Sequence, residues 1–375
     1  MKEQFLQNYL ESSANILSEN DRLPRLSEDI NISIVVPAYN EESYIGTLLE
    51  CLNDQIFDHK FELIIVDNGS TDQTAEVVGS FSFNSENRVC VVNERNIGAG
   101  RARKTGVDEI IRRVLDRGGE IPKRHFIVLT DADTQPGKTW LSKMYEQMSK
   151  SSQSILVSGN YHASPETDEI VEKEIGIKNY FLSFSRVSEL LDLSIGQIRM
   201  RGPNSGFEIE CYAKAGGFRQ PLDVRGNTAP RECFDLVQRV NEIGAPVEHF
   251  EYSIITSQRR KLFELINEIS TYDMVEDNTG RFLSNRDDEN MLLNYALKNV
   301  PDDRWIEYQE SILCRIVINS LLNPLLSMST KNIQNRVNLD FWTELMRDVS
   351  VLDARSLSEK WASVIARELL LRISQ

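Results

Sequence analysis

Two carboxylates one residue apart, Asp131 and Asp133, close the run His-Phe-Ile-Val-Leu-Thr-Asp-Ala-Asp at residues 125–133. Oxygen ligands at this spacing can share a hard divalent cation such as Mg²⁺ or Mn²⁺ with a phosphate-bearing ligand. The apolar run in front of them reads as a buried parallel strand. The aspartates are therefore expected at its carboxyl end, where open α/β sheets bind their ligands. Taken alone, Asp-x-Asp is as readily a pair of solvated turn residues, so its meaning rests on the elements around it.

Those elements repeat. Ile32–Val36 is a β-branched run ended by Pro37, and Ser43 opens an amphipathic helix through about Leu52. Phe61–Val66 is a second strand, followed by Asp67-Asn68-Gly69-Ser70-Thr71-Asp72, which is turn chemistry leading to a helix. Val89–Val92 is a third strand, then comes the loop Asn93–Gly100 and a helix with Val107, Ile110, Ile111, Val114 and Leu115 at spacings of three and four. The strand ending at the aspartates is the fourth. Strand and helix alternating through short loops predict a Rossmann-like, mostly parallel, doubly wound α/β sheet, with polar loops after all four strands.

Farther along, the spacing predicts a helix over 168–191 and a Gly/Pro/Asn-rich loop over 199–207 that suits close approach by a ligand. A short helix is expected near Tyr212–Phe218, another over Arg231–Ile243, and one or two strands over Val247–Thr256. Residues 1–30 form a helical arm with Phe5, Leu6, Tyr9 and Leu10 on its apolar face, and no chemistry is visible there. Residues 31–261 form the α/β domain, and 262–375 a mainly helical extension that offers a surface for homo-oligomerisation.

The 375 residues include 42 basic and 57 acidic side chains, a net charge of −15 that argues against nucleic acid as a partner. Five cysteines without Cys-x-x-Cys spacing suggest neither a disulfide framework nor structural zinc, and fit a reducing cytoplasm. The charged N-terminal segment does not read as a signal peptide. The most apolar window, residues 312–328, contains Arg315, Asn319, Asn323 and Pro324, so no transmembrane segment is expected.

Several motifs in order resemble family 2 glycosyltransferases of the GT-A fold. They are Val-Val-Pro-Ala-Tyr-Asn-Glu (35–41), Val-Asp-Asn-Gly-Ser-Thr-Asp (66–72), Asn-x-Gly-x-x-x-Ala-Arg (96–103), Thr-Asp-Ala-Asp (130–133), Gly-x-Asn (202–204) and Gly-Gly-Phe (216–218). The resemblance runs from about Asn31 to Lys261. It implies transfer of a sugar from a nucleotide-sugar donor, UDP- or GDP-linked, to an unidentified hydroxyl acceptor, with Mn²⁺ or Mg²⁺. Pro37, Ala38, Tyr39, Glu41, Asp67, Asn68 and Gly69 would meet the nucleoside, and Asn96, Gly98 and Arg103 would lie near the donor. Asp131, Ala132 and Asp133 would form the metal motif, with Asp133 the direct ligand and Asp131 nearer the ribose. His249 is a candidate further ligand, against the alternative of an ordinary core or surface histidine, and Arg259 a candidate pyrophosphate or acceptor contact. Gly202, Asn204, Gly206, Phe207 and Glu232 would wall the acceptor side.

The sequence departs from the pattern at one place. Inverting members carry Glu-Asp-x-Asp-Leu-x-x-Arg with an aspartate as base; here residues 232–239 read Glu-Cys-Phe-Asp-Leu-Val-Gln-Arg, with Cys233 at the base position. A thiol is a poor substitute for a carboxylate base. Three readings stay open: Glu232 takes the role, with Asp235 on the same helix; the reaction proceeds with retention; or the protein binds a nucleotide sugar as a catalytically impaired scaffold. A sugar-phosphate nucleotidyltransferase would need a Gly-rich basic loop after the first strand, where Pro37–Glu41 stands instead.

Overall fold

The computed structural model describes residues 2–13, 17–83, 87–117, 124–165, 198–219 and 232–259. Two compact units are present. The first comprises Met1–Tyr161, Arg199–Ser257 and Asp277–Arg286; the second comprises His162–Ile198, Gln258–Glu276 and Asp287–Gln375. The helix expected over 168–191 and the helical extension 262–375 lie outside the described residues.

The first unit is built on an eight-stranded sheet in the order β3-β2-β1-β4-β7-β6-β8-β5. Its strands are β1 (Ile32–Ala38), β2 (Glu62–Asp67), β3 (Arg88–Asn93), β4 (Phe126–Leu129), β5 (Thr134–Gln135), β6 (Leu156–His162), β7 (Ser205–Glu208) and β8 (Val247–Thr256). The four strands read from periodicity pair in parallel around β1. Beyond β4 the pairing changes hand, because β7 runs antiparallel to both β4 and β6 and β5 antiparallel to β8. The α/β class is as expected.

Two hydrophobic clusters cover the faces. On one side α2 (Ile45–Asn53) and α5 (Trp140–Lys150) bury Leu48, Leu49, Leu52, Trp140, Leu141, Met144 and Met148 over the sheet. On the other side lie α1 (Lys2–Ser13), α4 (Ala99–Leu115), α6 (Ile209–Lys214) and α7 (Glu232–Glu242). The small helix α3 (Thr74–Ser80) follows β2.

Residues 205–207 were expected as part of a ligand loop and lie instead in strand β7. The Cα of Gly206 lies directly under the thioethers of Met144 and Met148, so the small residues that suggest a loop are there to let α5 settle on the sheet. The short helix expected near Tyr212–Phe218 begins earlier, at Ile209.

Helix α4 carries the sheet's most crowded helix contact and sets the position of its own first turn. A Cβ on Gly106 would stand 2.6 Å from Val35 Cγ1 and 2.9 Å from Val66 Cγ2, so α4 rests on β1 and β2 through a bare backbone. Adding side-chain atoms in so filled a space costs about 1–3 kcal/mol, more than the helix propensity returned by replacing glycine, at most about 1 kcal/mol. Gly106→Val is therefore expected to lower unfolding stability by about 1–3 kcal/mol in urea denaturation.

Candidate active site

The ends of β1, β2 and β3 are tied into one rim by side chains of their own loops. Asn40, at φ +54°, accepts the Thr71 N–H at 2.8 Å through Oδ1, while its own N–H donates to Ser70 Oγ. Asp67 Oδ1 accepts the Ser70 N–H at 3.0 Å, a local turn that Gly69 continues at φ +86°. Glu94 accepts from Asn96 N–H through one oxygen and from the Thr105 hydroxyl through the other. Pro37, Ala38, Tyr39, Asp67, Gly69, Asn96 and Gly98 are thus brought to adjacent strand ends. Glu41 is buried at the entry to α2, its N–H donating to Thr74 Oγ1 at 2.8 Å.

The Asn68 side chain ties this rim together. Its Nδ2 donates to the carbonyls of Glu94 and Asn96 at 2.9 and 2.8 Å, and its Oδ1 accepts the Gly98 N–H at 2.6 Å. A buried amide with both N–H donors engaged shapes the loop.

The centre of the cleft is Arg103, in the first turns of α4. Its Nη2 donates to Asp131 Oδ1 at 2.6 Å and its Nη1 to Glu232 Oε1 at 2.9 Å. The guanidinium is only 7 % exposed, against 28 % for Asp131 and 17 % for Glu232. Burial alone would lower the Arg103 pKa; Asp131 and Glu232 outweigh it, so the net shift is upward and the cation persists. Two close approaches make this possible. A Cβ on Gly202 would meet Arg103 Nη2 at 2.7 Å, and one on Gly100 would meet Glu232 Cγ at 2.9 Å.

Asp133 follows buried Ala132 and lies where β5 meets β8. Its Oδ1 accepts the Thr256 hydroxyl at 3.0 Å, and its carbonyl accepts the Ser257 N–H. Thr256 is 123 residues downstream, and no sequence signal marks it. The same strand corrects the expectation for His249. It stands seven residues before Thr256 on one extended strand, roughly 23 Å away at about 3.3 Å per residue, and faces Glu251 at 3.9 Å. His249 cannot ligate a cation held by Asp133. Arg259 is buried and falls in the second unit.

On the expected acceptor side the structure separates contact from support. Asn204 is fully buried: its Oδ1 accepts Trp140 Nε1–H at 2.9 Å, and its Nδ2 donates to the carbonyls of Asn160 and Tyr252. It pins α5, β6 and β8 together. Gly206 lies under α5, and Phe207 stacks on Tyr212 in the core with centroids 5.1 Å apart, so neither lines the cleft. Asp235 pairs with Arg239 one turn along α7, and Arg239 also donates to the carbonyls of Ala215 and Gly217. Asp235 therefore orients an arginine that is itself bound to the turn after α6. Gly202 and Glu232 remain at the cleft.

Cys233 neighbours Glu232 and is partly buried. Burial pushes its thiol up to about 12, with the Arg103 cation opposing this only in part. A thiol held this high stays protonated through the physiological range, which does not suit it to the role of base. Iodoacetamide at pH 8 should modify Cys233 at least about tenfold more slowly in the native protein than in urea, as read by peptide mass spectrometry.

Residues 33–222 match the profile described as Glycosyl transferase family 2. Glycosyltransferase GlyG of Streptococcus pneumoniae is 29 % identical over 138 residues, which cover 36 % of this chain and 41 % of that protein. The putative glycosyltransferase EpsH of Bacillus subtilis is 28 % identical over 259 residues, covering 62 % of this chain and 65 % of EpsH. The match thus spans less than two thirds of either relative. Among solved structures, residues 1–349 of TarS from S. aureus in complex with UDP-GlcNAc align with a TM-score of 0.42 at 15 % identity, covering 92 % of both chains. The profile takes in just over half of the 375 residues, including the strand ends, Arg103 and the paired aspartates, and the chain belongs to glycosyl transferase family 2.

Proposed function

We propose that the chain is a metal-dependent glycosyltransferase that moves a sugar from a nucleoside-diphosphate sugar to a hydroxyl acceptor, with Glu232 as the base that takes the acceptor proton. The observation that carries this reading is the Arg103 bridge. One guanidinium holds a carboxylate of the Asp-x-Asp motif and a carboxylate of α7 at its two ends, so donor-side and acceptor-side groups face one another across a single planar group. Glu232 gives Oε1 to Arg103 and keeps Oε2 for an incoming hydroxyl. Proton removal by a positioned carboxylate is worth about 10²–10⁴ in rate. Cys233, protonated and adjacent, leaves Glu232 as the carboxylate of this turn that reaches Arg103.

Asp131 and Asp133 suit a hard divalent cation by their oxygen chemistry, and Asp131 Oδ2 is left over from the Arg103 contact. Among the described residues no group of three or more His, Cys, Asp or Glu side chains is arranged to hold a metal ion. The pair would therefore hold Mn²⁺ or Mg²⁺ jointly with the donor's phosphates and water, a sharing usual for Mg²⁺. When bound, the cation neutralises charge on the departing nucleoside diphosphate. The rim of β1–β3 would seat the nucleoside, with Tyr39, Asp67 and the open backbone at Gly69 as contacts. Among the described residues no helix is long and apolar enough to cross a membrane.

The test is a panel of UDP- and GDP-sugars with the full chain, read by thermal shift and by release of nucleoside diphosphate. Donor with Mn²⁺ should raise the melting temperature, and chelation or Asp133→Ala should abolish the rise. Glu232→Gln should keep the shift and lose about 100-fold or more in transfer, and Cys233→Asp should not raise the rate. Transfer retained by Glu232→Gln would sink the assignment of the base. A thermal shift without any turnover would favour the reading as a nucleotide-sugar-binding scaffold, which the thiol at position 233 motivates.

A further inference from the structure

The N-terminal helix α1 carries none of the family motifs, yet it places one polar side chain deep in the molecule behind the cleft. Tyr9 is 4 % exposed. Its hydroxyl donates to Asp108 Oδ1 at 2.7 Å and accepts from Lys104 Nζ at 3.1 Å; Lys104 and Asp108 are one turn apart on α4 and paired at 2.9 Å. Lys104 follows Arg103 in the chain. The Tyr9 ring meets Tyr212 edge-on, with centroids 5.8 Å apart.

The same hydroxyl fills the space beside Gly217. That residue has φ +66°, and any Cβ there would collide with the Tyr9 oxygen. The turn at Gly216-Gly217 is held from two further directions. Phe218 N–H donates to the Tyr212 hydroxyl at 3.0 Å, and Arg239 of α7 donates to the carbonyls of Ala215 and Gly217. The helix that grips this turn through Arg239 begins at Glu232, and Glu232 returns to Arg103 on α4. The contacts form a closed circuit: α4, Tyr9, the glycine turn, α7 and back to α4.

We propose that Tyr9 is a positioning residue that holds α7, and with it Glu232, at the correct approach to Arg103 and Asp131. The functional half of this inference rests on the reaction proposed above. Burial keeps the Tyr9 phenol protonated, so its donor role does not change over the accessible pH range. The donor rim on β1–β3 lies outside the circuit, and loss of the Tyr9 hydroxyl should leave donor binding untouched while Glu232 loses its aim. Misplacement of a reacting group by about 1 Å is enough to cost 10²-fold, so even partial loosening is measurable.

Tyr9→Phe keeps the ring and removes the hydroxyl; Tyr212→Phe breaks the next link, at Phe218. In the full chain, amide hydrogen exchange should speed up in residues 209–218 and 232–242 for both variants and stay unchanged in 62–98. Where the chain transfers sugar, kcat should fall about tenfold or more with donor KM unchanged. Unchanged exchange in 232–242, or an increase spread evenly over the chain, overturns the inference, as does a wild-type kcat in Tyr9→Phe. Failure of the proposed reaction shows separately, as wild-type protein that consumes no donor, and the exchange pattern still decides whether Tyr9 positions α7.

Discussion

The buried guanidinium of Arg103 is the constraint on which the cleft depends. It takes one carboxylate from the end of β4 and one from the start of α7, elements whose partner residues lie 28 and 129 positions away in the chain. A buried cation left without any partner costs about 3–5 kcal/mol, and two carboxylates ensure that Arg103 keeps one when the other is neutralised. The arrangement is also directional, since the planar fork presents two pairs of donors at a fixed angle. Glycine at 100 and 202 follows from it, because the helix turn and the loop must both come within van der Waals distance of the charged group or its partner.

Around that centre the fold divides labour by depth. At the ends of β1 to β3 buried side chains hold the loops that follow the strands. Asn68, Glu94 and Asn40 together knit three strand ends with side-chain to backbone bonds of 2.6–3.1 Å. Asn204 does the same between α5, β6 and β8. A loop seated this way costs little to order when a ligand arrives, since its conformational entropy has already been lost on folding.

The first four strands and their parallel pairing were legible because each strand is a local apolar run bounded by turn chemistry, and right-handed crossovers leave few alternatives. The second half of the sheet was less so. β7 carries Gly-Phe after Gly-Pro-Asn and looks like a loop, and only its neighbours β4 and β6, on either side of it, make it a strand. β5 is two residues long and exists by virtue of Thr134 and Gln135 facing Thr256 and Ile255. Periodicity has nothing to act on in segments that short.

The amino-acid sequence by itself determined the α/β class, the strand ends that carry polar loops, the paired aspartates and the family. All of these are encoded in contiguous residues whose spacing is their signal. Only the tertiary structure decided which polar side chains within those motifs face the cleft and which face inward. Asn68, Asn204 and Asp235 stand in motif positions yet turn to structural partners, and His249 lies at the far end of its strand from Asp133. Tyr9, in a helix without any motif, is built into the support of α7. The physical reason is that a side chain's direction is settled by the buried donors and acceptors it must satisfy, and those are brought to it from elsewhere in the chain.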